Sequence, residues 1–257
     1  MSAHCSATLV TGLLMGALCT AGTAGETVGY WPLDEGQGIL AHDRAQASND
    51  AIIYGPQWAE GHEGGGLRFG GTDADDYLVI AHDPALQLAD GFTVQLWWLK
   101  EGGGVQILEG ALHFSVVASD GQSHAIEAPA PPDGWHHLAF TCGEGTMAII
   151  IDGETLASGR PPDIGLMPTG APLLIGTYSP GYRYCLGGVI DDLCIFDRPL
   201  PPEQLRAELD RARTLAATRT AARRFEPEHG GLVLAKDGAP GATIVIPDDA
   251  SPLQLQP

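Results

Sequence analysis

Gly187–Leu200, GGVIDDLCIFDRPL, is an apolar run of β-forming residues that carries two adjacent carboxylates, Asp191 and Asp192, in its middle and stops at Arg198-Pro199. An ionised group inside a strand is costly unless a partner or a cation compensates it. Working outward, Gly134–Phe140 (GWHHLAF) reads as a short aromatic-led strand, and Ile149–Glu154 (IIIDGE) follows with a tight Asp-Gly turn. Phe92–Lys100 (FTVQLWWLK) alternates with a two-residue period: Val94, Leu96 and Trp98 fall on one face, Thr93, Gln95 and Trp97 on the other. Further runs at Val28–Leu33, Ala51–Tyr54, Leu67–Phe69, Tyr77–Ile80, Val105–Leu108, His113–Ala118, Thr146–Ile151 and Pro172–Gly176 bring the number of short strands to ten or so. No helix alternates with them. The 35 Gly and 19 Pro supply turns between them. The pattern predicts an all-β protein of antiparallel sheets packed face to face, and excludes a βαβ fold.

Charge narrows the partners. Lys and Arg number 13 against 32 Asp and Glu, a net charge of −19, so nucleic acid and anionic membrane surfaces are poor partners. Most of these carboxylates read as solvated loop positions. Ala7–Ala24 is apolar or small throughout and uncharged, too short for a membrane span, with small residues at Gly22 and Ala24. Residues 1–24 therefore read as a signal peptide, which predicts a secreted or periplasmic protein with no membrane span after its removal. The segment departs from the usual pattern in having only His4, and no Lys or Arg, before its apolar part. Removal would leave Cys142, Cys185 and Cys194, an odd number. A disulfide between Cys185 and Cys194 requires the chain to bend back between them; the alternative is three small buried hydrophobes.

The order of the pieces, YWPLDEGQG, Asp43–Asp50, GGLRFGGTDADDYLVI, GFTVQLWWLK, GWHHLAF, IIIDGE, LLIGTYS and GGVIDDLCIFDRPLPPEQL, resembles laminin-G-like domains of the concanavalin-A type and covers Val28–Leu205. The resemblance implies a two-sheet jelly-roll sandwich over residues 25–200. It also implies a structural calcium ion, held in related sandwiches by an Asp of the last strand with main-chain carbonyls of the first strand and of a Gly loop. Mapped here, the metal candidates are Asp192 and Asp191 with Asp34, and Gly70 for a carbonyl; calcium favours such mixed oxygen donors. The plain alternative is that Asp191 and Asp192 cap turns or pair with Arg183 or Arg198. For a ligand, the loop TYSPGYRY offers Tyr178, Tyr182 and Arg183, and Trp58 is a similar loop aromatic; rings of this kind stack on sugar faces, or else simply cover the sandwich edge. His136 and His137, adjacent on a strand, point to opposite faces and cannot chelate one ion.

Catalysis is not expected of this chain. Sandwich glycanases align carboxylates on one strand as E-x-D-x-E or E-x-D-x-x-E, and neither run occurs here, nor do G-x-S-x-G or H-E-x-x-H. After the sandwich, residues 201–225 read as a helical linker, with Pro at the start, Glu203 in the first turn and Arg223-Arg224 at the end. Residues 226–257 hold strand runs at Leu232–Ala235 and Thr243–Ile246. They resemble the opening hairpin of the small domain that precedes catalytic barrels in α-glucuronidase and β-hexosaminidase-like glycosidases, and so predict the partial start of a further domain. The sequence thus predicts a non-catalytic module recognising a glycan or cell-surface polysaccharide, accessory to a carbohydrate-active protein with a downstream catalytic domain. The alternatives are a protein–protein adhesion module, or the front part of a glycoside hydrolase.

Overall fold

Fourteen strands and one long helix make up the computed structural model, which describes residues 26–45, 49–71, 74–88, 90–101, 111–160, 166–167, 170–177 and 186–223. The strands are β1 (Thr27–Trp31), β2 (Leu40–Ala41), β3 (Ala51–Tyr54), β4 (Gln57–Glu60), β5 (Gly65–Gly70), β6 (Tyr77–Ile80), β7 (Gly91–Lys100), β8 (Ala111–Val117), β9 (Ser123–Pro129), β10 (Gly134–Gly143), β11 (Thr146–Ile151), β12 (Glu154–Gly159), β13 (Leu173–Ile175) and β14 (Gly187–Phe196). The helix α1 is Pro202–Arg223. The chain divides into two units, Met1–Arg206 and Ala207–Pro257. The strands all belong to the first; of the second, only the continuation of α1 is described. The runs expected at Val105–Leu108 and in 226–257 lie outside the described residues, as does the 1–24 segment.

The larger sheet runs β12-β11-β10-β7-β14-β5-β4, with β1 also on β14; the smaller runs β13-β6-β3-β2, and β8-β9 form a separate hairpin. Every pairing is antiparallel. This is the expected jelly-roll sandwich. Its core lies between the inner face of the large sheet (Trp31, Leu67, Phe69, Trp98, Leu138, Ile149, Ile190, Leu193, Ile195) and two covers, the small sheet (Ala51, Ile53, Leu78, Ile80) and the hairpin (Leu112, Phe114, Val116, Ala128). Each large side chain withdrawn from water contributes about 1.5–3 kcal/mol. Ring contacts of Phe114 with Phe92 at 6.1 Å and Phe140 at 5.5 Å tie the hairpin to the large sheet.

β14 is the axis on which the two ends of the domain meet. One edge pairs with β7, over Val189–Asp191 and again over Cys194–Phe196. The other pairs with β5 over Gly187–Ile190 and then with β1 over Leu193–Phe196. Asp191 and Asp192 sit at that changeover, where the β7 register also slips by one residue, from Asp191↔Trp97 to Cys194↔Gln95. Asp192 takes φ of 51° there, a left-handed conformation that Asp tolerates better than most residues. The bulge changes which side chains enter the core. Plain alternation from Ile190 would send Asp192 inward; the extra residue sends Leu193 and Ile195 inward instead. At the start of β14, glycine at position 188 is required by close approach: a Cβ there would lie 2.1 Å from the Leu99 carbonyl oxygen.

Four strands were not anticipated, β2, β4, β9 and β12, and Trp58 consequently lies on edge strand β4 rather than in a loop. Cys142 and Cys194 are buried, on β10 and β14, and the Cys142 thiol is free. Cys185 lies outside the described residues.

Candidate functional site

The carboxylates meet as the adjacency of first and last strands requires. Trp31 of β1 pairs with Leu193, so the chain leaving β1 passes the Asp191–Asp192 bulge and brings Asp34 to the loop Gly61–Gly65. That loop is the common partner. Asp34 Oδ1 accepts from Gly65 N at 2.8 Å, and Asp191 Oδ2 accepts from Glu63 N at 3.0 Å. The loop closes on itself through Gly61 N to Gly64 O at 3.0 Å. Gly61 must be glycine, since a Cβ there would lie 1.8 Å from Gly65 O and 2.8 Å from Asp191 Oδ2. Asp192 faces β1 and accepts from Tyr30 Oη at 2.6 Å.

Gly70 is not part of this group. It ends β5 opposite Gly187, at the far end of the strand from Gly65, and its N–H donates to Asp76 Oδ2 at 2.7 Å. Among the described residues, no group of three or more His, Cys, Asp and Glu side chains is placed to hold a metal ion. Several buried acids serve instead as acceptors for main-chain N–H groups. Asp43 accepts from Tyr30, Ala45 and Asn49, and its own N–H donates to Asp50, which accounts for the Asp43–Asp50 motif. Asp191 keeps one oxygen uncommitted: Oδ1 is buried and has no hydrogen-bond partner among the described residues. Of the expected calcium donors, Asp34 and Asp191 thus share the Gly61–Gly65 loop as partner and Asp192 turns to Tyr30, while Gly70 lies at the other end of β5.

Asp191 also begins a polar row on the outward face of the large sheet. It pairs with Trp97 of β7, which pairs with His137 of β10. His62, from the Gly61–Gly65 loop, stacks on Trp97 at 3.6 Å with an interplanar angle of 6°, and meets Trp135 edge-on at 5.6 Å. The chain entering α1 crosses this face. Thr93 Oγ1 donates to Arg198 O and accepts from Leu200 N, Gln95 Nε2 donates to Leu205 O, and the Arg206 guanidinium lies 4.7 Å from the centre of the Trp97 ring. Burial and the Arg206 charge hold His137 down at about 4, so it is neutral at physiological pH. Burial and the neighbouring Asp192 push the Asp191 carboxyl up to about 7. The two groups most distant from their ordinary ionisation thus share one row.

The sequence-predicted ligand residues are placed as follows. Tyr178, Tyr182 and Arg183 lie outside the described residues. Trp58 is half-buried, packs against the core and donates Nε1–H to Gly38 O at 2.9 Å, so its ring anchors the turn before β2. A different aromatic site was missed. On the outer face of the small sheet, Tyr54 and Tyr77 are cross-strand partners whose rings stack at 5.1 Å and 18°. Beside them Leu40, Ile52, Val79 and Leu174 form one row across all four strands. Tyr54 is 47% exposed, Leu40 and Ile52 each 39%, and the adjoining Ile39 68%. The signal was present in AIIY and YLVI, where both alternating sets are apolar although only Ala51, Ile53, Leu78 and Ile80 enter the core.

Comparison with known proteins places this architecture. Residues 70–206, just over half of the chain, match the Laminin_G_3 family, the concanavalin A-like lectin/glucanases superfamily. No curated protein matches the chain. Among solved structures, the binding domain of Paraclostridial Mosquitocidal Protein 1 is similar at a TM-score of 0.57 and 11% identity, covering 76% of this chain and 52% of that one. The binding domain of botulinum neurotoxin DC in complex with SialylT is similar at 0.56 and 11%, covering 73% and 52%. A botulinum neurotoxin type C structure, of a toxin whose cell entry depends on interaction with two ganglioside molecules, gives 0.56 and 11%, covering 73% and 51%. The chain spans about half the length of these structures, and at such identity the likeness is one of fold. With its jelly-roll sheets and the match running from the end of β5 to Arg206, this chain belongs to the concanavalin A-like lectin/glucanases superfamily.

Proposed function

We propose that the protein is a secreted, non-catalytic glycan-recognition module, and that it binds its glycan on the outer face of the small sheet. The observation that carries the reading is the stacked Tyr54–Tyr77 pair on the sheet's outer face, with Tyr54 exposed and Tyr77 half-buried. Tyrosine rings offer an apolar face for the C–H side of a pyranose and a hydroxyl for its hydroxyls. Solvent-exposed apolar surface on a small domain marks interaction sites. The absence of an aligned acid/base pair on any strand sequence supports a binding role. Such sandwiches host many functions, so the family supplies the fold and the site must supply the ligand. A glycan array, run with and without chelator, tests the reading: binding to a defined polysaccharide supports it, and an empty array sinks it.

We further propose that calcium occupies the corner of Asp191, Asp192 and Asp34. Asp191 Oδ1 is the uncommitted carboxylate oxygen, and calcium favours oxygen donors of this kind. The ion would supply positive charge to a buried acidic pair.

One observation favours a second reading, a protein–protein adhesion module. The row Leu40–Ile52–Val79–Leu174 is aliphatic, and an aliphatic stripe suits a protein partner better than a sugar. A role as accessory to a downstream catalytic domain rests on the sequence of 226–257, and the length of the intact reading frame tests it.

A further inference from the structure

A cavity of about 320 Å³ opens on the inner side of the sandwich, separate from the surfaces above. It lies where β6 has ended at Ile80 and β13 is about to begin at Leu173, so the small sheet no longer covers the large one. The wall on the large sheet is Phe92 and Val94 of β7 and Ile195 of β14; Val94 and Ile195 are cross-strand partners. The opposite wall is Leu86, Leu166 and Leu173. These side chains belong to the core by position, yet all but Ile195 remain only half-buried, lining open space among the described residues. The polar groups on the lining, His82, Asp83 and Gln87, come from one segment, where Asp83 Oδ1 caps the 3-10 turn Pro84–Leu86 through Ala85 N at 2.7 Å.

We propose that this cavity is a binding site for an uncharged amphiphile, with an apolar part the size of two fused rings or a chain of roughly ten carbons and a hydroxyl end at His82, Asp83 and Gln87. The size follows from volume: an apolar cavity of about 150 Å³ holds one benzene ring, and this one is about twice that. The class follows from the lining, since small-molecule sites are apolar concavities with a few polar groups that fix orientation. A charged ligand finds no partner on the aliphatic walls, and a free sugar would leave most of its hydroxyls unpaired against them. The site is independent of the glycan reading, because it lies on the inner side of the sandwich and the glycan reading uses the outer face of the small sheet.

The test uses the full chain and N-phenyl-1-naphthylamine, an uncharged two-ring probe whose fluorescence rises in apolar surroundings. The proposal expects saturable binding of one probe per chain, displaced by 1-decanol. Val94→Trp, which fills the cavity, lowers the affinity tenfold or more; Ile52→Ser, on the outer face of the small sheet, leaves it unchanged. Should Val94→Trp not fold, Leu86→Phe narrows the same space from the 3-10 turn and is expected to give at least a threefold loss. Absence of saturable binding, failure of decanol to compete, unchanged affinity in the filling variants that fold, or loss of binding in Ile52→Ser would each overturn the proposal.

Discussion

Asp191 and His137 set opposing pH dependences on the stability of the fold, and separating them by mutation is a demanding check on the buried row. Asp191 titrates at about 7 in the folded chain against an ordinary 3.8, so between those values the folded state holds a proton that the unfolded state has released. Its contribution is complete below about pH 4 and is lost as pH rises to about 7, a change of about 4 kcal/mol. His137 behaves in the reverse sense. Its folded value of about 4 lies below the ordinary 6.5, so the unfolded chain binds the extra proton. Its contribution is present above about pH 6.5 and is lost as pH falls to about 4, a change of about 3 kcal/mol. Across the shared window the two slopes nearly cancel. Asp191→Asn keeps an oxygen for Glu63 N and removes only the titration; His137→Gln removes the other. Relative to wild type, Asp191→Asn gains about 4 kcal/mol between pH 4 and about pH 8, while His137→Gln gains about 3 kcal/mol between about pH 7 and pH 4. Urea unfolding followed by tryptophan fluorescence, in the presence of chelator, reads both differences. Variant curves that run parallel to wild type within about 1 kcal/mol across the range would refute the reasoning.

Three other predictions concern the same framework. Gly61→Ala forces a Cβ into the Gly65 carbonyl and should cost at least about 2 kcal/mol in denaturant unfolding; a loss below about half a kcal/mol would contradict the loop geometry. Calcium should raise the thermal midpoint more at about pH 8 than at about pH 5, because Asp191 must be ionised to bind a cation, and Asp191→Asn should abolish the shift; an equal shift at both pH values, or one that survives the substitution, would count against the site. Cys142 should resist iodoacetamide in the native protein and react fully in denaturant, read by peptide mass spectrometry. Burial both blocks access and pushes the Cys142 thiol up, away from the reactive thiolate.

What the sequence disclosed follows from period and composition. FTVQLWWLK gave the two faces of β7 correctly, with Trp98 in the core and Trp97 outward, because a central strand covered on one side by hydrophobic core obeys strict alternation. The meeting of Asp34 with the Asp191–Asp192 pair was also legible, since β1 and β14 had to pair for the sandwich to close. The bulge at Asp192 was not: an inserted residue leaves no mark in a run that is apolar on both sides of it. β9 and β12, SHAIEAP and ETLASG, have poor strand composition and exist through their partners β8 and β11. Gly70 went astray because a Gly-rich loop reads the same whether it serves an ion or a neighbouring Asp76. The Tyr54–Tyr77 pair needed the cross-strand register, which only the fold supplies.

The central claim, glycan recognition on the outer face of the small sheet, is tested most directly by calorimetric titration of a polysaccharide that binds the wild-type protein against Tyr54→Ala/Tyr77→Ala. Tyr54 is exposed and Tyr77 half-buried, and neither belongs to the core, so the thermal midpoint should change little. Loss of two stacking rings, each worth about 1 kcal/mol, should weaken binding by about tenfold or more. A double variant that folds and binds the polysaccharide with unchanged affinity would contradict the claim.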